Sequence, residues 1–361
     1  MGIVTVNIDG IVKNYQQIQQ IVGSECVVSA VVKANAYGCG IAPVGAALYD
    51  AGVREFFVAT LPEALELRTI IDDDAAVFMM NGFDAEYGDL YVQENIVPVL
   101  NSAPEIESYN ALCRQHEQAL QAVLHLDTGM NRLGLEASEL EWLQNAPDKL
   151  EPINLRYVMS HFACSDEKEH PMNEAQCEAF KVASAFLRHT KKSLCNSSGV
   201  FRSNKYHFDM VRPGMALYGL NPTPEAQSPM QQVISLDAPV LQIKTAKKGE
   251  TAGYGATHRF EKDSRFAIIP IGYADGFLRS LSNNGSLFWK NYKCSVRGRV
   301  SMDLTIVDLS AVPENELPQP GDRMEVIGQN QSADDLAKRC DTIGYEILTS
   351  LSRRYKRVYK S

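Results

Sequence analysis

Between Asp9 and about residue 220 the chain alternates short apolar runs with amphipathic stretches. The runs at 26–32, 55–60, 75–80, 96–100, 120–126, 155–160, 193–196 and 207–211 are strand-like, the last two the most weakly so. Helical periodicity separates them. "IDGIVKNYQQIQQIV" puts Ile11, Tyr15, Ile18 and Val22 on one face. "LPEALELRTII" has a proline near its start and acids in its first turns, and "NEAQCEAFKVASAFLRH" is a longer amphipathic run. Eight strands interleaved with helices predict a (β/α)8 TIM-type barrel, with a doubly wound open sheet as the alternative.

A proline-containing stretch at 222–229 suits a linker, and the pattern then changes. "VISLDAPVLQIKTA", "SRFAIIPIGYA", "KCSVRGRVSMDLTIVDLS" and "DRMEVIG" are close-spaced strand signals separated by turns. The expected division is a barrel over 1–225 and a mainly-β domain over 226–361, ending in a helix over roughly 332–354.

Composition narrows the chemistry. The net charge of −9 argues against a nucleic-acid or anionic-membrane partner, though arginines in a cleft can still reverse the local field. The eight cysteines form no C-x-x-C pair and no zinc-ribbon spacing, so free thiols in a reducing compartment and no metal centre are expected. No signal peptide, myristoylation pattern or apolar membrane span is evident, and a cytoplasmic location is expected.

The polar residues fall where a barrel enzyme needs them, at strand ends and in the loops that follow. Lys33 ends the first strand; Asp127 and Arg132 follow the fifth; His161 ends the sixth; Asn196 and Ser197 end the seventh; Arg212 and Gly214 end the eighth. Each has an ordinary alternative: a snorkelling lysine, a solvated loop arginine, a structural histidine, an N-capping serine. A partly desolvated Lys33 amine would instead be free to form a Schiff base with an aldehyde. Tyr37 could bond a phosphate oxygen, beside glycines that allow close approach. The tyrosines of the C-terminal half, Tyr254 and Tyr273, read in isolation as packing residues. No dinucleotide-binding, Walker, zinc-protease or serine-hydrolase signature is present.

Taken together, "AVVKANAYGCG", "LDTGMNRLG", "SHFACSD", "VRPGMALYG", "GYGATH", "IPIGYADGF" and "GRVSMDL" resemble the alanine racemase family in order and rough spacing, over nearly the whole chain. The resemblance implies the barrel and β domain, a head-to-tail homodimer with shared active sites, pyridoxal 5'-phosphate as cofactor, a small amino acid as substrate, and supply of D-alanine for peptidoglycan. It implies that Lys33 holds the cofactor and acts as one base, with Tyr254 of the partner subunit as the other. Tyr37, Ser197, Gly214, Met215 and Tyr345 would hold the phosphate, and Arg212 would face the pyridine nitrogen. Arg132 and the amide of Met302 of the partner subunit would receive the substrate carboxylate. His161 would lie against the ring and link to Arg212, and Tyr273 and Asp303 would line the substrate channel. An unperturbed tyrosine, with a pKa of about 10, is a poor base at neutral pH, so cationic Arg212 and His161 are expected to favour the Tyr254 phenolate.

Two departures from the family pattern stand out. Many members carry a lysine two residues before the Asp of "DTGM", where its carbamate orients the carboxylate-binding arginine; here His125 takes that place. Neutral His125, an anion or Asp127 could hold Arg132 instead. The usual "AYGHG" is "AYGCG" here, at Cys39. The competing functions are a racemase for another small amino acid such as serine, a decarboxylase of basic amino acids, and a single-barrel cofactor-binding protein without racemase activity.

Overall fold

The computed structural model describes residues 1–361, and no helix is long and apolar enough to cross a membrane. Two compact units are present. One comprises Ile11–Ala36 and Gly40–Gln231; the other joins Met1–Gly10 and Tyr37–Cys39 to Gln232–Ser361.

The first unit is the barrel. Ala30–Val31, Glu55–Val58, Ala76–Met79, Ile96–Leu100, Leu120–His125, Ile153–Met159 and Lys191–Ser193 form a seven-stranded parallel sheet in chain order. The first five of these strands are almost wholly buried, which is why they read as continuous apolar runs rather than alternating ones; Ile153–Met159 is buried mainly in its C-terminal half, and Lys191–Ser193 is polar and partly exposed. The sheet curls, and the eighth strand signal closes it. Met210–Val211 pairs in parallel with Val27–Val28, the Val31 N–H donates to the Pro213 carbonyl at 3.0 Å, and the Arg212 N–H donates to the Cys195 carbonyl at 2.9 Å. The seventh strand stops at Ser193, so Asn196 and Ser197 lie beyond it: Asn196 caps the short helix Ser197–Val200 by accepting from the Gly199 N–H at 3.0 Å. The helix Ile8–Val22 buries Ile11, Tyr15 and Ile18, as its periodicity requires.

The second unit holds a six-stranded sheet in the order Tyr292–Ser295, Ser286–Trp289, Arg323–Ile327, Ile234–Pro239, Ile3–Asn7, Lys356–Lys360. A three-stranded sheet of Gln242–Ala246, Ser264–Ile269 and Thr305–Asp308 accompanies it. Two expectations are corrected here. Ile3–Asn7 pairs antiparallel with Ile234–Pro239 and parallel with Lys356–Lys360, so the first strand belongs to the C-terminal sheet rather than to the barrel. The single helix expected over 332–354 is two short ones, Ala333–Lys338 and Gly344–Thr349, followed by the strand Lys356–Lys360. Asp341 in the left-handed region (φ 55°), followed by β-branched Thr342 and Ile343, breaks the helix. The eight cysteines are all free thiols.

Gly38, in the second unit, has φ 79°, and a Cβ placed on it would lie 2.3 Å from the Leu348 carbonyl oxygen. Gly38→Ala therefore combines left-handed strain with a backbone clash, and should destabilise the protein by about 2–4 kcal/mol. Urea or thermal unfolding measures this; an unchanged midpoint would show that the contact yields freely.

Candidate active site

Strand ends converge on the C-terminal mouth of the barrel, and the charged side chains there are mostly cations. Lys33 follows buried Val32, whose N–H still donates to the Phe57 carbonyl at 2.9 Å, so the strand delivers the lysine directly to the mouth. Its amine is half-buried, and its pKa is lowered, first by burial and then by the charge of Arg132, with Glu63 opposing. Lysine availability in the neutral form is what an attack on an aldehyde needs.

The backbone after Lys33 turns the wrong way for L-residues. Ala34, Asn35, Ala36 and Tyr37 all have φ between 51° and 55°. Each such residue costs about 1–2 kcal/mol against the right-handed form, asparagine least. Neighbours hold the turn: the Ala34 N–H donates to Glu63 Oε1 at 2.7 Å, the Ile41 N–H to Asn35 Oδ1 at 2.8 Å, and the Gly40 N–H to the Asn35 carbonyl at 2.9 Å. Cys39, where the family pattern has histidine, is fully buried, and burial raises its thiol pKa far above reach, leaving a packing residue.

Arg212 is 4% exposed, and its side-chain partners include no carboxylate. Its guanidinium donates to Ser193 Oγ, to the Ser160 carbonyl at 2.5 Å and to His161 Nδ1 at 3.3 Å. Burial draws its pKa down to about 10, leaving it charged at neutral pH. Because Arg212 can only donate, His161 Nδ1 must accept and Nε2 carries the ring proton. Desolvation, with the charges of Arg212, Arg132 and Lys33 around it, holds His161 well below the usual imidazole range. The neutral imidazole of His161 is thereby favoured, with Arg212 as its charged partner.

His125 is fixed by the same logic. Asn101 Nδ2 donates to the Met80 and Val99 carbonyls at 3.2 and 2.9 Å, so its Oδ1 faces His125 Nδ1 at 2.8 Å and that nitrogen must carry the proton. His125 Nε2 is left as an acceptor with no partner in the chain. The neighbouring Cδ2 edge lies against Gly134, 3.2 Å from where a Cβ would stand, in the loop that bears Arg132. That loop is anchored by the Asp127 carboxylate, which accepts from the Gly129, Met130 and Asn131 N–H groups at 2.9, 2.9 and 3.2 Å. Asp127 thus fixes the loop backbone, while Arg132 is exposed at its tip.

Ser197 and Gly214 are brought together, the Gly214 N–H donating to Ser197 Oγ at 2.9 Å and the Ala216 N–H at 3.3 Å, with Met215 between them. In the second unit, the rings of Tyr37 and Tyr345 lie 6.0 Å apart. Also there, Tyr254 (73% exposed), Tyr273 and Met302 stand on the surface, and the Met302 N–H makes no hydrogen bond within the chain. Asp303 is paired with Arg354 at 2.8 Å, and Arg354 also reaches Asp275 at 3.3 Å. Sequence reasoning missed Glu63 and Asn101; the only trace of Glu63 was its place in the first turn of a helix.

The models of the alanine racemase N-terminal and C-terminal domains match residues 6–222 and 233–359. An alanine racemase of Rhodospirillum rubrum is 40% identical over 99% of this chain and 96% of its own, and a catabolic alanine racemase of Agrobacterium fabrum 42% identical over 92% and 85%. The crystal structure of alanine racemase from Bartonella henselae with covalently bound pyridoxal phosphate superposes with a TM-score of 0.96, at 39% identity and 99% coverage of both chains. The biosynthetic alanine racemase of Pseudomonas aeruginosa gives a TM-score of 0.92 at 33% identity, covering 100% of this chain and 99% of its own.

His125 is brought down to about pH 3 by burial first and by Arg212 second. The unfolded chain takes up that proton near pH 6.5, so between the two values the unfolded state binds more protons. Stability should therefore fall as pH drops below about 6.5, by up to about 1.4 kcal/mol per unit from this residue. Urea unfolding at pH 7 and pH 5 should show a slope that is smaller in His125→Gln; equal slopes would contradict the assignment.

Proposed function

The chain belongs to the alanine racemase family, and we propose that it interconverts L- and D-alanine with two bases, Lys33 of one subunit and Tyr254 of the partner subunit. The observation that carries this reading is the half-buried Lys33 amine at the end of a barrel strand, its proton affinity lowered by burial and by Arg132.

The residues fit pyridoxal 5'-phosphate. An amine free for an aldehyde, a buried guanidinium with no acid partner, and a set of hydroxyl and amide donors suit an aldehyde, a ring nitrogen and a phosphate. The carboxylates whose charge reaches Lys33 and His125, Glu63 and Asp127, accept from backbone N–H groups, which fixes where they stand. Lys33 would hold the group covalently; Ser197, Gly214, Met215 and the hydroxyls of Tyr37 and Tyr345 would hold its phosphate. Arg212 would donate to the ring nitrogen and, having no acceptor, would keep that nitrogen unprotonated. When bound, the cofactor supplies an electron sink that acidifies the substrate Cα–H.

The chain's own groups then manage the substrate. The Arg132 guanidinium, carried at the tip of the loop that Asp127 anchors, receives the alanine carboxylate. The N–H of Met302 of the partner subunit receives the second carboxylate oxygen. Lys33 Nζ takes or returns the proton of Cα on one face. The Tyr254 phenolate of the partner subunit does so on the opposite face, and inversion follows from the two faces being distinct. Arg212 provides the positive field that favours the phenolate, with His161 as its neutral link.

A second copy of the chain would cover the exposed Tyr254, Tyr273, Met302 and Leu304, an apolar surface a monomer has little reason to keep. Tyr273 and Asp303 would then line the channel to the site. We read the protein as a cytoplasmic homodimer. Because racemisation is reversible, the same chemistry supplies D-alanine for peptidoglycan or removes it, according to flux.

Lys33→Ala should lose both racemisation and the visible absorbance of lysine-bound cofactor. Tyr254→Phe should keep the absorbance and lose racemisation by roughly 10²–10⁴-fold in both directions. Assays started from pure L- and pure D-alanine test this; normal racemisation by Tyr254→Phe would remove the two-base assignment.

A further inference from the structure

We propose that Glu63 is a positioning residue for Lys33: its carboxylate ties the left-handed turn that follows the lysine to the end of the neighbouring barrel strand, and so sets where the amine stands. The proposal rests on Lys33 being the cofactor-bearing amine.

The geometry is a bridge between adjacent strands. Glu63 sits in the first turn of the helix Leu61–Arg68, which follows the strand Glu55–Val58. Its Oε2 accepts from the Ala59 and Thr60 N–H groups at 2.8 and 3.3 Å, closing the helix start on its own strand. Its Oε1 does something a helix cap does not require: it accepts from the Ala34 N–H, 29 residues away in sequence, at 2.7 Å. Ala34 is the first of the four left-handed residues and is bonded directly to Lys33. Ala34 is itself exposed, so no packing of its own side chain forces that conformation. A charged acceptor on its N–H is the side-chain constraint at this residue, beside the Ala36 N–H bond to the Val32 carbonyl at 2.9 Å that spans the turn.

The same carboxylate carries a second consequence. The charged groups that act on the Lys33 amine are Arg132 on one side and Glu63 on the other, while His161, neutral itself, faces the amine. Arg132 makes the amine release its proton more readily; Glu63 alone opposes this. Removing the Glu63 charge should lower the pH at which Lys33 becomes free to react, as well as loosening its placement. A residue that only capped its own helix, with no bond to Ala34, would not loosen the placement of the lysine when removed.

The test follows capture of pyridoxal 5'-phosphate by the cofactor-stripped full-length chain, through visible absorbance across a range of pH. The variants are Glu63→Ala, Glu63→Gln, Glu63→Ala with Ala34→Gly, and Lys33→Ala, and far-UV circular dichroism confirms folding. Glu63→Ala should lower the plateau capture rate by about tenfold, and the midpoint of the pH profile should move down in both Glu63→Ala and Glu63→Gln. Glycine enters the left-handed region without penalty, so Ala34→Gly should restore at least about fivefold of the loss in the Glu63→Ala background, without restoring the midpoint. An unmoved plateau and midpoint would make Glu63 a helix cap only. A lost plateau with an unmoved midpoint and no rescue by Ala34→Gly would mark a general structural defect; either result overturns the proposal. If Lys33→Ala still captures the cofactor covalently, it is the assignment of Lys33 that fails.

Discussion

A buried positive charge with no acid beside it is the constraint around which the barrel mouth is organised. Arg212 lies inside the barrel with only neutral acceptors: a serine hydroxyl, a backbone carbonyl and an imidazole nitrogen. An isolated buried ion is costly, and proteins normally pair it. Here three hydrogen bonds are made but the charge is left uncompensated. The local field is therefore strongly positive in a chain whose net charge is −9. An anionic ligand is what such a field is complementary to, and it explains how an acidic protein can bind a phosphate.

The neighbours follow from that field. Two histidines at the mouth are forced neutral, and their tautomers are dictated by partners that can act in only one sense. His161 must accept because Arg212 can only donate; His125 must donate at Nδ1 because Asn101 has committed its amide hydrogens to two carbonyls. The lysine amine is pushed in the same direction by burial and Arg132. The result is a cluster in which Lys33 is chemically available, Arg132 is free to grip a carboxylate, and neither is neutralised by a fixed acid. The left-handed turn after Lys33 is the mechanical counterpart. Strain there persists only because surrounding groups over-determine it.

The sequence made some of this legible and concealed the rest for physical reasons. Buried parallel strands announce themselves as apolar runs, so the first six strands of the seven-stranded sheet could be read directly, whereas the seventh, the polar Lys191–Ser193, was expected at 193–196. Met210–Val211, two residues long, was faint because its pairing is short. Ile3–Asn7 escaped as a strand because its partners lie more than two hundred residues away, and a five-residue alternation carries little signal. "KANAY" has the local look of a right-handed helix; its left-handedness is imposed by Glu63 and Asn35 and has no local signature. His125 was visible as a departure, but its tautomer depended on Asn101, whose contact cannot be read from spacing. Tyrosines in the β domain, Tyr254 and Tyr273, looked like packing side chains in isolation, and only the family resemblance singled them out.

The central claim is that the amine of Lys33, and no other lysine, carries the cofactor. Borohydride reduction of the protein with pyridoxal 5'-phosphate, followed by proteolysis and mass spectrometry, tests it most directly. A reduced pyridoxyl phosphate group is expected on the peptide containing Lys33 and on no other. A Lys33 peptide recovered unmodified, with the label on a different lysine, would contradict it.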